Sequence, residues 1–184
     1  MLQWLKTRWC THHTASLLYD RIVAQARQPA FYLDFGVPDT VSGRFEMIVL
    51  HLFIVLERLR ADPETPNDPG QQLVETFFAT LDHEMREMGV GDMAVPKKMQ
   101  KAAGGFYGRI QAYADAVRDD DPAVLTTALE RNVYDDNQGS HGRPHALAIY
   151  ARCALRAVGS QSIDDLLEGW LRFPDPLASE KGAS

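Results

Sequence analysis

Ten consecutive residues constrain this chain more than any other feature. From Met47 through Leu56 the sequence reads Met-Ile-Val-Leu-His-Leu-Phe-Ile-Val-Leu, apolar at every position except His51. A helix that is apolar on every face has to be enclosed on every face. The run is about half the roughly 20 residues a helix needs to cross a bilayer. It therefore predicts a helix at the centre of a bundle, starting near Ser42 as N-cap and ending near Arg60.

The remaining apolar residues recur with helical spacing, and the alternation that marks a half-buried strand is missing. Leu17, Leu18, Ile22, Val23 and Ala26 predict a helix from about Thr11 to Arg27, ended by Pro29. The segment Pro29 to Asp39 holds Phe31, Tyr32 and Phe35 between two prolines and reads as an ordered, packed loop. After a loop at 61–67, Asp68-Pro69 supplies an N-cap and a first-turn proline, with Gln71 completing a capping-box pattern. That helix carries Leu73, Phe77, Leu81, Met85 and Met88, and Gly89 is placed to stop it in the left-handed conformation.

The next helix, Val95 to Arg118, presents Met99, Ala103, Phe106, Ile110, Tyr113, Ala114 and Val117. Gly104, Gly105 and Gly108 each cost it about 1 kcal/mol relative to alanine, so they are expected to admit the close approach of another helix or of a partner. Asp121-Pro122 starts a helix with Val124, Leu125, Ala128, Leu129 and Val133. Residues 135–144 read as a loop. Leu147, Tyr150, Ala151, Ala154, Leu155 and Val158 mark another helix, and Ser162 caps a short one carrying Leu166, Leu167, Trp170 and Leu171. The expected fold is all-α, a multi-helix bundle in one domain or two lobes, spanning 11–173 between an N-terminal segment at 1–10 and a loose tail at 174–184.

Composition narrows the function. With 45% hydrophobic residues over 184 positions, the chain can build a core without cross-links. A formal net charge of -6, from 19 basic and 25 acidic residues, argues against nucleic acid as the main partner. Cys10 and Cys153 have no metal or redox spacing and fit a reducing compartment. The segment Met1 to Trp9 lacks the features of a signal peptide. Leu2, Trp4, Leu5 and Trp9 beside Lys6 and Arg8 give it the means to touch a membrane surface, although the plainer reading is a first helix docked on the core.

Catalytic patterns fail in turn. No Glu-x-x-His occurs, as a di-iron bundle would need. His83-Glu84 through Glu87 lacks the second histidine of a zinc-protease helix, and His141 and His145 are separated by Gly142 and Pro144, which places them in a surface loop. No nucleophile elbow is present, and Gly104 to Gly108 has no phosphate-binding lysine. His51 reads as a core or partner-facing histidine rather than a general base. No metal, cofactor or catalytic residue is expected.

Two polar-aromatic clusters stand apart: Arg27 with Phe31, Tyr32, Asp39, Arg44, Phe45 and Glu46, and the run Arg86 to Asp92. They are either ion pairs and caps that order the connections or a binding surface, where arginine and aromatic anchors concentrate.

The residues from Tyr19 to Tyr134 resemble the ubiquinol-cytochrome c chaperone family. The resemblance rests on Phe31-Tyr-Leu-Asp-Phe-Gly-Val-Pro-Asp-Thr40, Gly43-Arg-Phe-Glu46, Leu50-His-Leu52 with Arg58-Leu-Arg60, Arg86-Glu-Met-Gly-Val-Gly-Asp92, Gly108-Arg109 with Tyr113, and Leu129-Glu-Arg-Asn132, all in the same order. It implies a helical, non-enzymatic assembly factor that binds newly made cytochrome b, or another subunit of the cytochrome bc complex. Mitochondrial members of the family work with a small partner protein near the ribosome exit. The acidic balance gives little support for a ribosome contact here, with Lys97, Lys98 and Lys101 as the local patch that could serve. A cytoplasmic, bacterial form at the inner face of the membrane is expected.

A client with apolar helices calls for an apolar groove with a polar rim. Its expected border is Phe31, Tyr32, Asp39, Arg44, Phe45, Glu46, Arg86, Asp92, Phe106, Arg109 and Tyr113, beside the three glycines. The alternative from the residues alone is a haem- or quinone-binding helical protein or enzyme, with His51, His83 or His145 near its pocket.

Overall fold

The computed structural model describes residues 2–61, 68–134 and 142–178, with side chains from His13 onward. Among them the chain forms eight helices and no strand: α1 (Leu2–Ala26), α2 (Pro29–Leu33), α3 (Val41–Arg60), α4 (Pro69–Glu87), α5 (Val95–Arg118), α6 (Pro122–Val133), α7 (Pro144–Gly159) and α8 (Ile163–Leu167). The expectations on 62–67, on 135–141 with His141, on 179–184 and on the side chains of Met1 to Trp9 lie outside the described residues.

The apolar run forms α3, which packs against α1, α4, α5, α6 and α7 and so occupies the centre of the bundle. Met47 and every residue from Val49 to Leu56 are buried, while Ile48 is half-buried. Burial of each large apolar side chain favours the fold by about 1.5–3 kcal/mol over exposure. One buried cluster draws residues from all eight helices, from Leu18 of α1 to Leu166 of α8.

Local signals explain most boundaries. Asp68 accepts from the Gln71 backbone N–H at 3.0 Å, and Asp121 from that of Ala123 at 2.9 Å, each just ahead of a first-turn proline. The Gln71 amide turns forward to Glu75 at 2.9 Å rather than back to the cap. At the far end of α4, Gly89 takes φ 77°, its N–H donates to Arg86 O, and Val90 N–H donates to Met85 O. That pair of bonds is the Schellman closure.

Four details differ from the sequence expectation. First, α1 starts at Leu2 rather than Thr11, because no proline or glycine interrupts the stretch between them. Second, Pro29 opens α2 as its first residue instead of ending α1, so a helical turn sits where a loop was expected. Third, the α3 cap is Thr40, which accepts from Gly43 N–H at 3.1 Å. Gly43 is required there, since a Cβ would lie 2.0 Å from Pro38 O. Fourth, Trp170 is exposed while Leu166 and Leu171 are buried, because Gly169 at φ 85° takes the chain out of helical phase after Leu167.

Candidate functional site

A concavity lies where α3, α4 and α5 meet. The Asp68 cap fixes the start of α4 and sets Gly70, Val74 and Phe78 along one wall; α5 contributes Phe106, Tyr107 and Ile110, and α3 contributes Leu56 and Arg60. The groove measures about 560 Å³. Leu56, Phe106 and Ile110 form a buried floor, Val74 and Phe78 are half-buried walls, and Tyr107 is 59% exposed at the lip. Ring centroids step from core to surface: Phe77 to Phe106 5.3 Å, Phe78 to Phe106 5.4 Å, Phe106 to Tyr107 5.2 Å, and Phe78 to Tyr107 6.4 Å.

The polar rim is internally satisfied. Arg60 donates to Glu57 at 3.0 Å, Asp68 caps α4, and Gln71 holds Glu75. Such a rim can face water or a partner without leaving a desolvated charge, and the aromatic floor supplies the apolar area.

The residues singled out from sequence fall in several places. Phe31, Phe106 and Tyr113 are fully enclosed and Glu46 is 3% exposed, so their side chains serve the interior. Of the sequence-derived border, only Phe106 lines this groove. Glu46 takes an ion pair from Arg109 Nε, which ties α3 to α5. Burial, with the Glu46 charge nearby, pushes the Tyr113 phenol well above its ordinary range. Phe45 is half-buried beside Phe77 at 5.9 Å.

The exposed pairs order connections. Arg44 donates to Asp39 at 2.7 Å and lies 5.9 Å over the Tyr32 ring, whose hydroxyl donates to Ala26 O at 2.8 Å. Arg86 bridges Asp82 at 2.7 Å and Asp92 at 2.6 Å across the α4–α5 turn. These hydrogen bonds hold the Asp39 and Asp82 carboxyls below, and the two guanidinium groups above, their usual values.

Among the described residues no other helix closes on the α5 glycines. Nothing lies within 4 Å of a Cβ built at Gly104 or Gly108, and Gly105 meets only its own helix's Arg109 guanidinium.

His51 sits in a different environment. Its Nδ1 lies 2.7 Å from Met47 O, which can only accept, so Nδ1 carries the proton and Nε2 accepts from Tyr150 O–H at 2.8 Å. The Gln25 amide donates to Tyr150 O at 3.0 Å and to Pro174 O at 3.1 Å. Phe31 and Phe173 cover the ring edge-on at 5.4 and 5.1 Å. Desolvation lowers the imidazole from 6.5 to about 4, so it is neutral and fully engaged. His83 and His145 are exposed on α4 and α7. Among the described residues no three His, Cys, Asp or Glu side chains are placed to hold a metal ion.

Residues 33–173, which contain the whole groove, match the ubiquinol-cytochrome C chaperone family. The chain belongs to that family. Its fold agrees with the crystal structure of the Cbp3 homolog from Brucella abortus, with TM-score 0.81, 36% identity, and 96% of this chain and 98% of that one covered. The mouse ubiquinol-cytochrome c reductase complex assembly factor 1 is 24% identical over 161 residues, covering 88% of this chain and 54% of the relative. The mitochondrial protein CBP3 of Saccharomyces cerevisiae is 29% identical over 134 residues, 71% of this chain and 38% of that protein. This family member thus spans about half the length of the mouse relative it matches.

Sequence reasoning missed Val74, Phe78 and Tyr107. The signal was present in Phe77-Phe78 and Phe106-Tyr107. Neighbours on a helix point about 100° apart, so one ring of each pair turns away from the core.

Proposed function

We propose that this chain is a non-enzymatic chaperone for assembly of the cytochrome bc complex, and that it captures newly made cytochrome b through the α3–α4–α5 groove. One observation carries the reading: the family match runs over 33–173 and includes every residue of the groove. Before assembly, a membrane-protein client exposes apolar helices. Val74, Phe78, Tyr107 and Ile110 provide apolar contact for such a helix, and Arg60, Asp68, Gln71 and Glu75 form a satisfied polar rim. The Asp39–Arg44 and Arg86–Asp92 pairs order the connections before α3 and after α4. The chaperone works at the inner face of the membrane that receives its client, alone or with a small partner protein.

The test is deletion of the gene, followed by measurement of cytochrome b level and ubiquinol-cytochrome c reductase activity. Both are expected to fall while the cytochrome b transcript persists. Normal values of both would overturn the proposal.

A further inference from the structure

α5 runs alongside α3 in the same direction, because Glu46, Phe53 and Glu57 of α3 meet Arg109, Tyr113 and Arg118 of α5 in that order. The three rungs are unlike. Phe53 and Tyr113 are enclosed rings with centroids 5.7 Å apart, and such apolar contact is non-directional, so it tolerates a small slip or rotation of one helix on the other. Glu57 and Arg118 pair at 3.4 Å with the arginine side chain 60% exposed, where an ion pair holds little. Glu46 and Arg109 differ from both: the glutamate side chain is 3% exposed and the arginine side chain 26%. Desolvation offsets most of the attraction within a buried pair, so its best-attested use is to fix the register of two helices rather than to stabilise them.

The pair sits beside the groove. Arg109 belongs to the stretch of α5 that supplies Phe106, Tyr107 and Ile110 to the wall. At 3.6 residues per turn it projects about 60° to one side of Phe106 while Tyr107 projects about 100° to the other, so a guanidinium held on α3 sets how far Tyr107 is turned towards α4. The wall needs such a hold, since Gly104, Gly105 and Gly108 give this stretch no side chain to pack. Gly105 has a part of its own. A Cβ there would lie 2.8 Å from Arg109 Nη1, and the guanidinium is a rigid plane, so it cannot swing aside without giving up the Glu46 contact made by its Nε.

We propose that Arg109, seated by Gly105 and anchored on Glu46, is a positioning residue for the client groove: it fixes the register and rotation of α5 so that Phe106 and Tyr107 face α4 at the spacing that receives an apolar helix. The client is that of the chaperone reading, on which this role rests.

The experiment attaches spin labels at Ala79→Cys on α4 and Gln111→Cys on α5, both exposed positions, in the full chain carrying Cys10→Ser and Cys153→Ser, and measures the distance between them by double electron–electron resonance. The parent is expected to give one narrow distribution. The double variant Glu46→Gln/Arg109→Gln removes both charges and leaves no buried carboxylate unpaired, so its helical content and urea midpoint should stay near the parent's. Its distance distribution should nevertheless broaden, and without labels it should restore less than about half of the parent's cytochrome b in cells lacking the gene, as for misplaced aromatic anchors. Gly105→Ala should broaden the distribution in the parent and change nothing further in the double variant, where no guanidinium has to move. A merely structural role for the pair predicts no such dependence, because alanine favours the helix in both backgrounds. A parent-like width in the double variant, equal effects of Gly105→Ala in the two backgrounds, or a broadened distribution with full restoration of cytochrome b would each overturn the proposal. Deletion of the gene tests the chaperone reading alone; if cytochrome b stays normal there, that reading falls, and the label distances still decide whether the clasp sets α5.

Discussion

The rings around His51 and those around Phe78 are spaced alike and finish differently. Phe31, Tyr150 and Phe173 stand 5.4, 5.7 and 5.1 Å from the imidazole centroid. Phe77, Phe106 and Tyr107 stand 4.9, 5.4 and 6.4 Å from Phe78. The first group is closed by α7 and by the segment after α8, and its polar atoms form one directional chain from Gln25 through Tyr150 to His51. Among the described residues the second is closed from below, by Leu56 and Ile110, and opens into a groove of about 560 Å³. Aromatic density therefore marks where this chain has contact area to offer. Covering elements decide whether the area stabilises the fold or remains for a partner.

The largest expected effect separates the two groups by stability. Phe31→Ala should cost about 3–5 kcal/mol in urea unfolding, as for a fully enclosed aromatic. Phe78→Ala should cost about 1–2 kcal/mol, because its ring is only half-buried. Equal costs would mean that the groove is closed in solution.

Next comes pH. The His51 pKa in the fold, about 4, lies below its ordinary 6.5, so the unfolded chain binds more protons between those values and stability falls as pH falls. The contribution is complete above about pH 6.5 and disappears towards pH 4. At about 1.4 kcal/mol per pH unit, the loss between pH 7 and pH 5 is about 2 kcal/mol. Tyr150→Phe should by itself cost about 1–3 kcal/mol by leaving Nε2 without its donor. A urea midpoint that did not change between pH 7 and pH 5 would contradict a sealed, neutral His51.

The smallest effects belong to the exposed pairs. Arg44→Ala and Arg86→Ala are expected to leave the urea midpoint nearly unchanged, because both guanidinium groups pair in open solvent. A large drop in either would show that the connections, and not the core, set the geometry of the bundle.

Much of this fold was legible locally. The apolar run located α3 and its central place; Asp68-Pro69, Asp121-Pro122, Ser162 and Gly89 located helix ends, because each acts on backbone atoms within a few residues. The candidate site was less legible. Periodicity tells which side of a helix is apolar but not what covers it, so Phe31 and Tyr113 were expected at a groove and lie in the interior. Links such as Glu46 to Arg109 and His51 to Tyr150 span 63 and 99 positions, and a single sequence carries no local trace of them. Val74 and Phe78 line the groove because the packing of α3, α4 and α5 leaves them half-buried, a property of packing rather than of either helix alone.

The most direct test of the account is the steady-state cytochrome b level in cells that lack the gene and carry either the parent chain or the double variant Phe78→Ser/Tyr107→Ser. The parent should restore cytochrome b, while the variant, with its helical content confirmed, should restore less than about a tenth, as expected for loss of two central aromatic anchors. Full restoration by the variant would contradict a client-binding role for the groove.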